Sequence, residues 1–203
     1  SILKEANTIA ADPEFKGTIS DLGGPTANMY RMRCKDPQIE AVCRRLSCIH
    51  PTVCKFLGTS HKPTISLMRK TREIEGIKRV HIQSGVRMDL AAKDDSYLEE
   101  LAAHHVGGHL KVAPEHTSKR VLDLMKKPDV SSFDEFAKNF KRASQAVGKE
   151  QYLVPYFIAS HPGSTVEDMI ELAIFLKQRG YKPRQVQDFI PAPMDIATCM
   201  HYT

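Results

Sequence analysis

Four of the five cysteines in this chain of 203 residues fall within one stretch of 21 residues, CKDPQIEAVCRRLSCIHPTVC. Soft thiolates in such a group are typical ligands of tetrahedral zinc or of an iron–sulfur cluster, and His50 and His61 are possible substitute ligands. The gaps of eight, four and five residues between the cysteines match no standard zinc or ferredoxin pattern. Two interpretations stay open, an auxiliary metal site and thiols that are inert or redox-labile. The residues concerned are Cys34, Cys43, Cys48 and Cys54.

Composition limits the classes of protein to which the chain can belong. Hydrophobic residues make up 41% of it, which is enough for a sizeable core, and 29 Lys and Arg against 24 Asp and Glu give a net charge of +5. This mild excess permits an anionic substrate or nucleic acid without demanding either. No apolar run is long enough to span a membrane, and the N-terminus lacks the apolar core of a signal peptide. We therefore expect a cytoplasmic protein with reduced thiols.

The elements that must position these residues alternate between short apolar runs and amphipathic stretches. This rhythm predicts parallel strands joined by right-handed crossover helices. No G-x-G-x-x-G phosphate loop is present, so a barrel is favoured over a doubly wound sheet. The sequence thus predicts an α/β fold, a partial parallel (β/α) barrel of about five βα units. The predicted strands are residues 17–22, 78–84, 108–114, 152–160 and 184–192.

Local signals mark the ends of the predicted helices. Two serines are followed at capping-box spacing by glutamate, and glycines stand where the periodic patterns stop. The N-terminal residues read as a helix already under way, with Ile2, Leu3 and Ile9 on one side. The helix marks are Ser132 with Glu135, Ser164 with Glu167, and the terminal Gly148 and Gly180.

Polar residues stand where each predicted strand ends. In parallel barrels the chemistry lies at the carboxyl ends of the strands, so these residues are candidates for one shared site. Each stretch by itself is also typical of an ordinary turn, since Gly-Gly-Pro and His-Pro-Gly are turn sequences in any protein. The stretches are residues 21–26, 84–87, 113–116, 160–163 and 191–193.

Several stretches together carry a resemblance to a known family. They are SDLGGPTANMYRMRC, HHVGGHLKVAPEHT, QYLVPYFIASHPGSTVEDM and VQDFIPAPMDIATCMHYT. They closely resemble radical S-adenosylmethionine (SAM) proteins of the YgiQ type, over a match that runs from about Ile19 to Thr203. The region from His161 to Pro193 is more distantly similar to the corresponding part of radical SAM methylthiotransferases.

The resemblance implies an open barrel of six βα units that binds SAM and a [4Fe–4S] cluster, and it implies a radical SAM enzyme of unknown substrate. Three cysteines spaced C-x-x-x-C-x-x-C hold the cluster in that family, and this chain contains no such motif. We therefore expect residues 1–203 to be a fragment, strands two to six of the barrel, inactive by itself. Residues 34–63 would form a cysteine-rich insertion within it. Because these cysteines follow the wrong strand, they are not the SAM-cleaving set.

The resemblance also assigns roles at the strand ends. It places Gly23 and Gly24, followed by Pro25 and Thr26, near the methionine end of SAM, where glycine permits close approach of the backbone. It places Ser84 and Arg87 near a carboxylate, Glu115 near the ribose hydroxyls beside Lys111, and His161 near adenine or substrate. The cofactor-binding candidates are thus Gly23, Gly24, Pro25, Thr26, Ser84, Arg87, Lys111, Glu115 and His161.

Simpler interpretations accompany these roles. Arg87 and Glu115 could form a mutual ion pair at the barrel rim, and His161 could be a hydrogen-bonded turn residue. His104 and His105, at a helix end, are expected to serve the helix dipole rather than catalysis. The sequence is also compatible with two other functions. A metal-stabilised RNA-binding module follows from the basic charge and the cysteines, and a barrel hydrolase would use Glu115 and His161.

Overall fold

The computed structural model describes residues 1–24, 27–183 and 186–203. Parallel strands alternate with helices along this chain, and each predicted strand region contains a strand. The strands are β1 (Thr18–Ile19), β2 (Arg79–Val80), β3 (His109–Glu115), β4 (Tyr152–Ala159) and β5 (Gln187–Asp188). The helices are α1 (Ile2–Ala10), α2 (Pro37–Val42), α3 (Lys62–Arg72), α4 (Met88–Ala91), α5 (Asp95–Glu100), α6 (Lys119–Leu124), α7 (Ser131–Ala146), α8 (Val166–Gln178) and α9 (Ile196–Tyr202). A short 3-10 turn (Ala27–Met29) and a π-helical turn (Leu101–His105) complete the set.

The strands form two small parallel sheets instead of one. Strand β1 pairs with β2, and β4 lies between β3 and β5, so every pair is parallel and consecutive in sequence. Between the sheets, the carbonyl of His105 accepts a hydrogen bond from the amide of Ile82, and its ring donates to the carbonyl of Val80. The π-helical turn therefore occupies the edge of β2 where β3 would continue one sheet. The parallel α/β fold is confirmed, and the described residues form no closed barrel.

The core lies between the long helices and one face of the three-stranded sheet. Phe133, Phe136 and Phe140 of α7 are buried with Leu110 of β3 and Phe157 of β4 in one cluster. Each such ring contributes about 2–3 kcal/mol by its removal from water. This packing holds β3 and β4 in place and so fixes where their carboxyl ends project.

The opposite face of that sheet is not covered. On β3, Leu110 and Val112 are buried whereas Lys111 is exposed, and on β4 Tyr152 and Val154 are exposed in the same alternation. Parallel sheets are normally covered on both faces. The open face is the one that would line the interior of a barrel.

The helix ends test the local signals. Gly148 and Gly180 follow α7 and α8 in left-handed backbone conformation, as predicted. The two predicted capping boxes were wrong. Helix α8 is capped one residue later, by Thr165 with Asp168, and α7 begins without a side-chain cap. Asp168 also accepts a hydrogen bond from Arg120, which is 48 positions away. This long-range contact favours Thr165 over Ser164 as the cap, and local spacing does not reveal it.

Within the described residues, none of the helices combines the length and the apolar character that crossing a bilayer requires.

Candidate functional site

A cavity of about 780 Å³ opens at the carboxyl ends of β3, β4 and β5. Its polar wall includes Glu115, Lys127, His161 and Asp188, each at or shortly after a strand or helix end, and is completed by Lys126, Gln187 and Asp195. The rest of the wall is largely apolar, from side chains of α6 and of the C-terminal segment. A cavity of this size and composition is typical of a small-molecule site. The further lining residues include Leu124, Met125, Ile158, Phe189, Ile190, Met194 and Met200.

Unusual backbone conformations gather around this cavity. The described residues include five non-glycine residues with positive φ, and three of them, Glu115 (φ 68°), Lys126 (φ 54°) and Met194 (φ 67°), line it. A fourth, Ser160 (φ 56°), immediately precedes His161. Left-handed conformation costs an L-residue about 1–2 kcal/mol and tends to persist at functional sites. The clustering makes the cavity a candidate functional site.

Glu115 is held by one oxygen and free at the other. Its Oε1 accepts a hydrogen bond from Nζ of Lys127 at 3.0 Å, and the carboxylate is largely buried. Its buried Oε2 accepts no hydrogen bond within the described part of the chain. A carboxylate oriented by an ammonium group, with one free oxygen at the wall of a cavity, can accept a hydroxyl or amine donor of a ligand.

Arg87 does not pair with Glu115, so the proposed mutual ion pair was wrong. The Arg87 guanidinium contacts the Asp89 carboxylate, with Nε–Oδ1 at 2.9 Å and Nη2–Oδ2 at 3.1 Å. Both side chains are about 90% buried. Asp89 lies only two residues after Arg87, so the two side chains can meet locally. Glu115 belongs to β3 in the other sheet and is the more distant partner in sequence. That Arg87 binds a ligand carboxylate stays a prediction. Such binding would require the contact between Arg87 and Asp89 to open.

His161 satisfies its own turn. It is 6% exposed, its Nδ1 donates to the carbonyl of Pro162 at 2.8 Å, and its ring lies 6.0 Å from that of Phe189. The ring nevertheless forms part of the cavity wall. Among the described hydrogen bonds none joins His161 to Glu115, so the hydrolase alternative has no visible base–nucleophile pair.

The remaining candidate residues follow the strands of the two-stranded sheet, β1 and β2. Ser84 follows β2, and its buried hydroxyl has no partner within the described ranges. Gly85 (φ 93°) passes so close to β3 that an added Cβ would stand 3.4 Å from the carbonyl of Lys111. A Cβ on Gly24 would meet nothing within 4 Å, and Gly23 has φ 132°, so this loop leaves room beside its backbone. Pro25 and Thr26 lie outside the described residues.

A clasp joins the loops that follow β3 and β4. Arg120, in the first turn of α6, donates to the carbonyl of Gly163 and to the Asp168 carboxylate. A hydrogen bond from the Ser118 side chain, together with those from Thr165 and the charge of Arg120, lowers the pKa of Asp168 to about 2. The carboxylate therefore stays ionised, and the clasp fixes the turn that carries His161.

A second network was missed by sequence reasoning. Asn28 and His61 are fully buried, and the Asn28 amide nitrogen lies 3.3 Å from Nε2 of His61. Asn28 also accepts from the amide of Arg87 and donates to its carbonyl. On the other side, Nδ1 of His61 lies 3.0 Å from Asp94. The network ties the loop after β1 to the loop after β2. The sequence signal that could have found it is Asn28, three residues after the Gly-Gly-Pro sequence.

His105 is also more than a helix-end residue. It is fully buried, and its Nε2 lies 3.4 Å from Glu100, which in turn pairs with Arg69 at 2.7 Å and Arg72 at 2.8 Å. Burial opposes ionisation of Glu100, but the hydrogen bonds and charges of the two arginines outweigh it and lower its pKa. This cluster fastens α3 to the π-helical turn and is structural.

The cysteines do not converge. All five are free thiols, with Cys43, Cys48 and Cys199 exposed. Cys34 sits in an isolated bridge to Leu57, and the amide of Cys54 donates to the carbonyl of Cys48 at 2.7 Å. Within the described ranges no three His, Cys, Asp or Glu side chains are grouped to hold a metal. The residues as arranged do not fit a metal or cluster, and an auxiliary site stays a prediction.

Comparison with known proteins shows which proteins the chain is similar to. No family model matches the chain. Over its whole length it is 55% identical to UPF0313 protein VV2143 of Vibrio vulnificus (strain YJ016) and covers 27% of that protein. It is 53% identical to UPF0313 protein blr7973 of Bradyrhizobium diazoefficiens, of which it covers 30%. It is 52% identical to UPF0313 protein YgiQ of Escherichia coli (strain K12), of which it covers 28%.

The chain is therefore homologous to one region of the UPF0313 proteins, the YgiQ type included. This confirms the resemblance to YgiQ-type proteins. The chain spans between a quarter and a third of the length of these relatives. Their names state neither an activity nor a cofactor, so both belong to the proposal that follows.

Proposed function

We propose that this region is the SAM-binding part of a radical SAM enzyme of the YgiQ type. The observation that carries the proposal is Glu115 at the wall of the strand-end cavity: Lys127 holds one carboxylate oxygen, and the other, buried oxygen has no hydrogen-bond partner among the described residues. The cytoplasmic location and reduced thiols expected from the sequence are part of the same proposal.

The residues present fit SAM itself. The cavity of about 780 Å³ exceeds what a nucleoside needs, and its apolar wall suits a purine ring. Glu115 would accept from the ribose hydroxyls, and His161 would lie against the adenine or the substrate. Outside this cavity, Ser84 offers a buried hydroxyl without a partner among the described residues, and Gly24 leaves open space beside its backbone for the methionine end. In this role SAM supplies a 5′-deoxyadenosyl radical when reductively cleaved by a cluster.

The residues present do not fit the cluster that cleaves SAM. The sequence contains no C-x-x-x-C-x-x-C, and Cys34, Cys43, Cys48 and Cys54 are not gathered around a common point. We therefore assign no step of electron transfer to this chain. Its own residues bind and orient the nucleoside, and the clasp of Arg120 and Asp168 holds the His161 turn in place.

The test is a binding measurement that needs no cluster. Isothermal titration calorimetry should show saturable SAM binding to the chain, and Glu115→Gln should weaken it about tenfold or more, because a hydrogen bond to a charged acceptor contributes about 1.5–3 kcal/mol. Glu135→Gln, an exposed glutamate on α7, is the matched control and should leave the affinity unchanged.

A separate measurement addresses turnover. Under reducing conditions with reconstituted iron, the chain alone should form no 5′-deoxyadenosine above a no-protein control. Absence of saturable SAM binding, or an equal loss in the Glu115→Gln and Glu135→Gln variants, would contradict the binding proposal. Formation of 5′-deoxyadenosine would overturn the expectation that the cluster ligands lie outside this sequence.

A further inference from the structure

The whole net charge of the chain is concentrated in one segment. Residues 30–62 hold seven of the 29 Lys and Arg and only two of the 24 Asp and Glu, so the rest of the chain is balanced, 22 against 22. The mild +5 of the whole protein is therefore a strong local excess. We call this segment the basic loop; its cations are Arg31, Arg33, Lys35, Arg44, Arg45, Lys55 and Lys62.

These cations are exposed and free of carboxylates. All seven are exposed to solvent. The ion pairs of the described residues, ten in number, involve none of them. Elsewhere in the described residues some exposed cations, such as Arg142 and Lys119, pair with carboxylates, whereas others, such as Lys138, form no ion pair, so the basic loop differs by its density of cations and its few acidic residues. Positive charge held on a surface without counter-charges attracts a polyanion.

The backbone of the basic loop gathers part of this charge in one place. Cys34 forms an antiparallel bridge with Leu57. The amide of Lys35 donates to the carbonyl of Phe56 at 2.7 Å, and the amide of Gly58 donates to the carbonyl of Arg33 at 2.9 Å. The two ends of the loop thus run side by side. Arg33 and Lys35 on one strand-like end lie beside Lys55 on the other.

Aromatic rings stand among the cations. The Arg31 guanidinium lies 5.4 Å from the centre of the Tyr30 ring, and the Lys55 ammonium lies 5.0 Å from that of Phe56. Both rings are half-buried. Cations interleaved with aromatic rings are typical of surfaces that bind single-stranded nucleic acids, where bases stack and phosphates are neutralised.

The shape of the basic loop argues against two other polyanions. Its one described helix, α2, has six residues, too short to enter a duplex groove as a recognition helix. Its exposed apolar residues are mainly Val42 and Leu46, which lie outside any amphipathic helix of the kind that rests on a membrane. A flexible single strand can follow an irregular surface of this kind.

We propose that the basic loop binds single-stranded nucleic acid, chiefly through its phosphates and without sequence preference. This inference is independent of SAM binding, because the loop residues used here do not line the cavity at the ends of β3, β4 and β5. With about five phosphates neutralised, affinity should fall roughly 100-fold between about 50 and about 200 mM salt.

The experiment measures fluorescence anisotropy of a labelled single-stranded RNA oligonucleotide, and of its DNA equivalent, with the whole chain. The test variant is Arg33→Glu, Lys35→Glu, Lys55→Glu. The control is Lys138→Glu, Lys141→Glu, Lys177→Glu, which makes the same change of net charge on exposed lysines of α7 and α8. We expect at least a tenfold loss of affinity and a shallower salt dependence in the test variant, and less than a threefold loss in the control.

Circular dichroism and thermal midpoints establish that both variants are folded. If the glutamate variant fails to fold, the milder Arg33→Gln, Lys35→Gln, Lys55→Gln replaces it, with at least a fivefold loss expected. Equal losses in test and control variants would overturn the proposal, because total charge would then be responsible. So would absence of oligonucleotide binding, or binding only to vesicles of phosphatidylserine and phosphatidylcholine, which would assign the loop to a membrane surface.

Discussion

Nδ1 of His61 lies 3.0 Å from Oδ2 of Asp94, and the imidazole ring is completely buried and stacked on Tyr97 at 4.4 Å between ring centres. Asn28 contacts the other ring nitrogen with its amide NH₂ group, whose orientation is set by two hydrogen bonds to the backbone of Arg87. Nε2 must therefore accept a hydrogen bond from the Asn28 amide, so the ring is neutral with its proton on Nδ1. This defines which protonation state the folded protein requires.

The stability of the fold should fall as the solution becomes acidic. Burial lowers the pKa of His61 from its ordinary value of 6.5, against the opposing effect of Asp94, and burial also lowers the pKa of His105 and His116. The unfolded chain takes up these protons first, so the stabilisation is complete above about pH 6.5 and is lost as the pH falls towards the lower folded values.

Urea unfolding between about pH 7 and about pH 5 measures this loss. The His61→Gln variant should be less stable at neutral pH but should show a flatter pH dependence. The control is His109→Gln, at an exposed position on β3, which should retain the slope of the parent protein. A slope that is identical in all three proteins would contradict the assignment.

Asn28→Ala should destabilise the protein by about 2–3 kcal/mol, because it leaves buried groups of His61 and Arg87 without partners. Asn7→Ala is the control, since Asn7 lies exposed on α1 and its side chain donates to the carbonyl of Leu3 within the same helix. It should change the free energy of unfolding by less than about 0.5 kcal/mol. Equal effects of the two substitutions would show that the buried network contributes nothing.

Glu100→Ala should lower the free energy of unfolding by about 3 kcal/mol, because it leaves Arg72 and the buried His105 without their carboxylate partner. The exposed pair of Arg142 and Asp95 provides the comparison, and Asp95→Ala should cost less than about 1 kcal/mol. Chemical denaturation of both variants gives the two values. A Glu100→Ala cost as small as that of Asp95→Ala would refute the structural role of the cluster.

Ser160→Gly should raise the free energy of unfolding by about 0.5–1 kcal/mol, because glycine adopts the left-handed conformation (φ 56°) that serine adopts only with strain. Ser160→Val should lower it, since a branched Cβ increases the strain. Thermal unfolding of the pair measures the difference. If both variants match the parent protein, the strain beside the cavity is not real.

The thiols should react in two groups. Exposed Cys43, Cys48 and Cys199 should react quickly with Ellman's reagent, and half-buried Cys34 and Cys54 more slowly. Metal analysis of anaerobically purified protein accompanies the measurement. An auxiliary metal site would give a different pattern, with Cys43 and Cys48 protected, metal lost in Cys43→Ala and Cys48→Ala, and Cys199→Ala unaffected.

Much of the fold follows from local sequence. Alternating apolar runs predicted all five strands, and Gly148 and Gly180 predicted where α7 and α8 end, because these features depend on residues within a few positions of one another. The polar residues that follow β3 and β4 lie at one edge of the three-stranded sheet, since parallel strands carry their carboxyl ends to one side. Here Glu115 and His161 do share a cavity.

The partners of those residues were decided by the tertiary structure. Asn28 and His61 are 33 positions apart and Asn28 and Arg87 are 59 apart, and no periodic pattern connects them. Arg87 pairs with Asp89, and Glu115 pairs with Lys127. In each case the partner is the opposite charge that the fold brings close to the side chain. The sequence by itself determined which residues follow the strand ends. Packing of α7 against β3 and β4 determined which of them meet. The physical reason is that contacts between distant segments exist only once the core has set their separation.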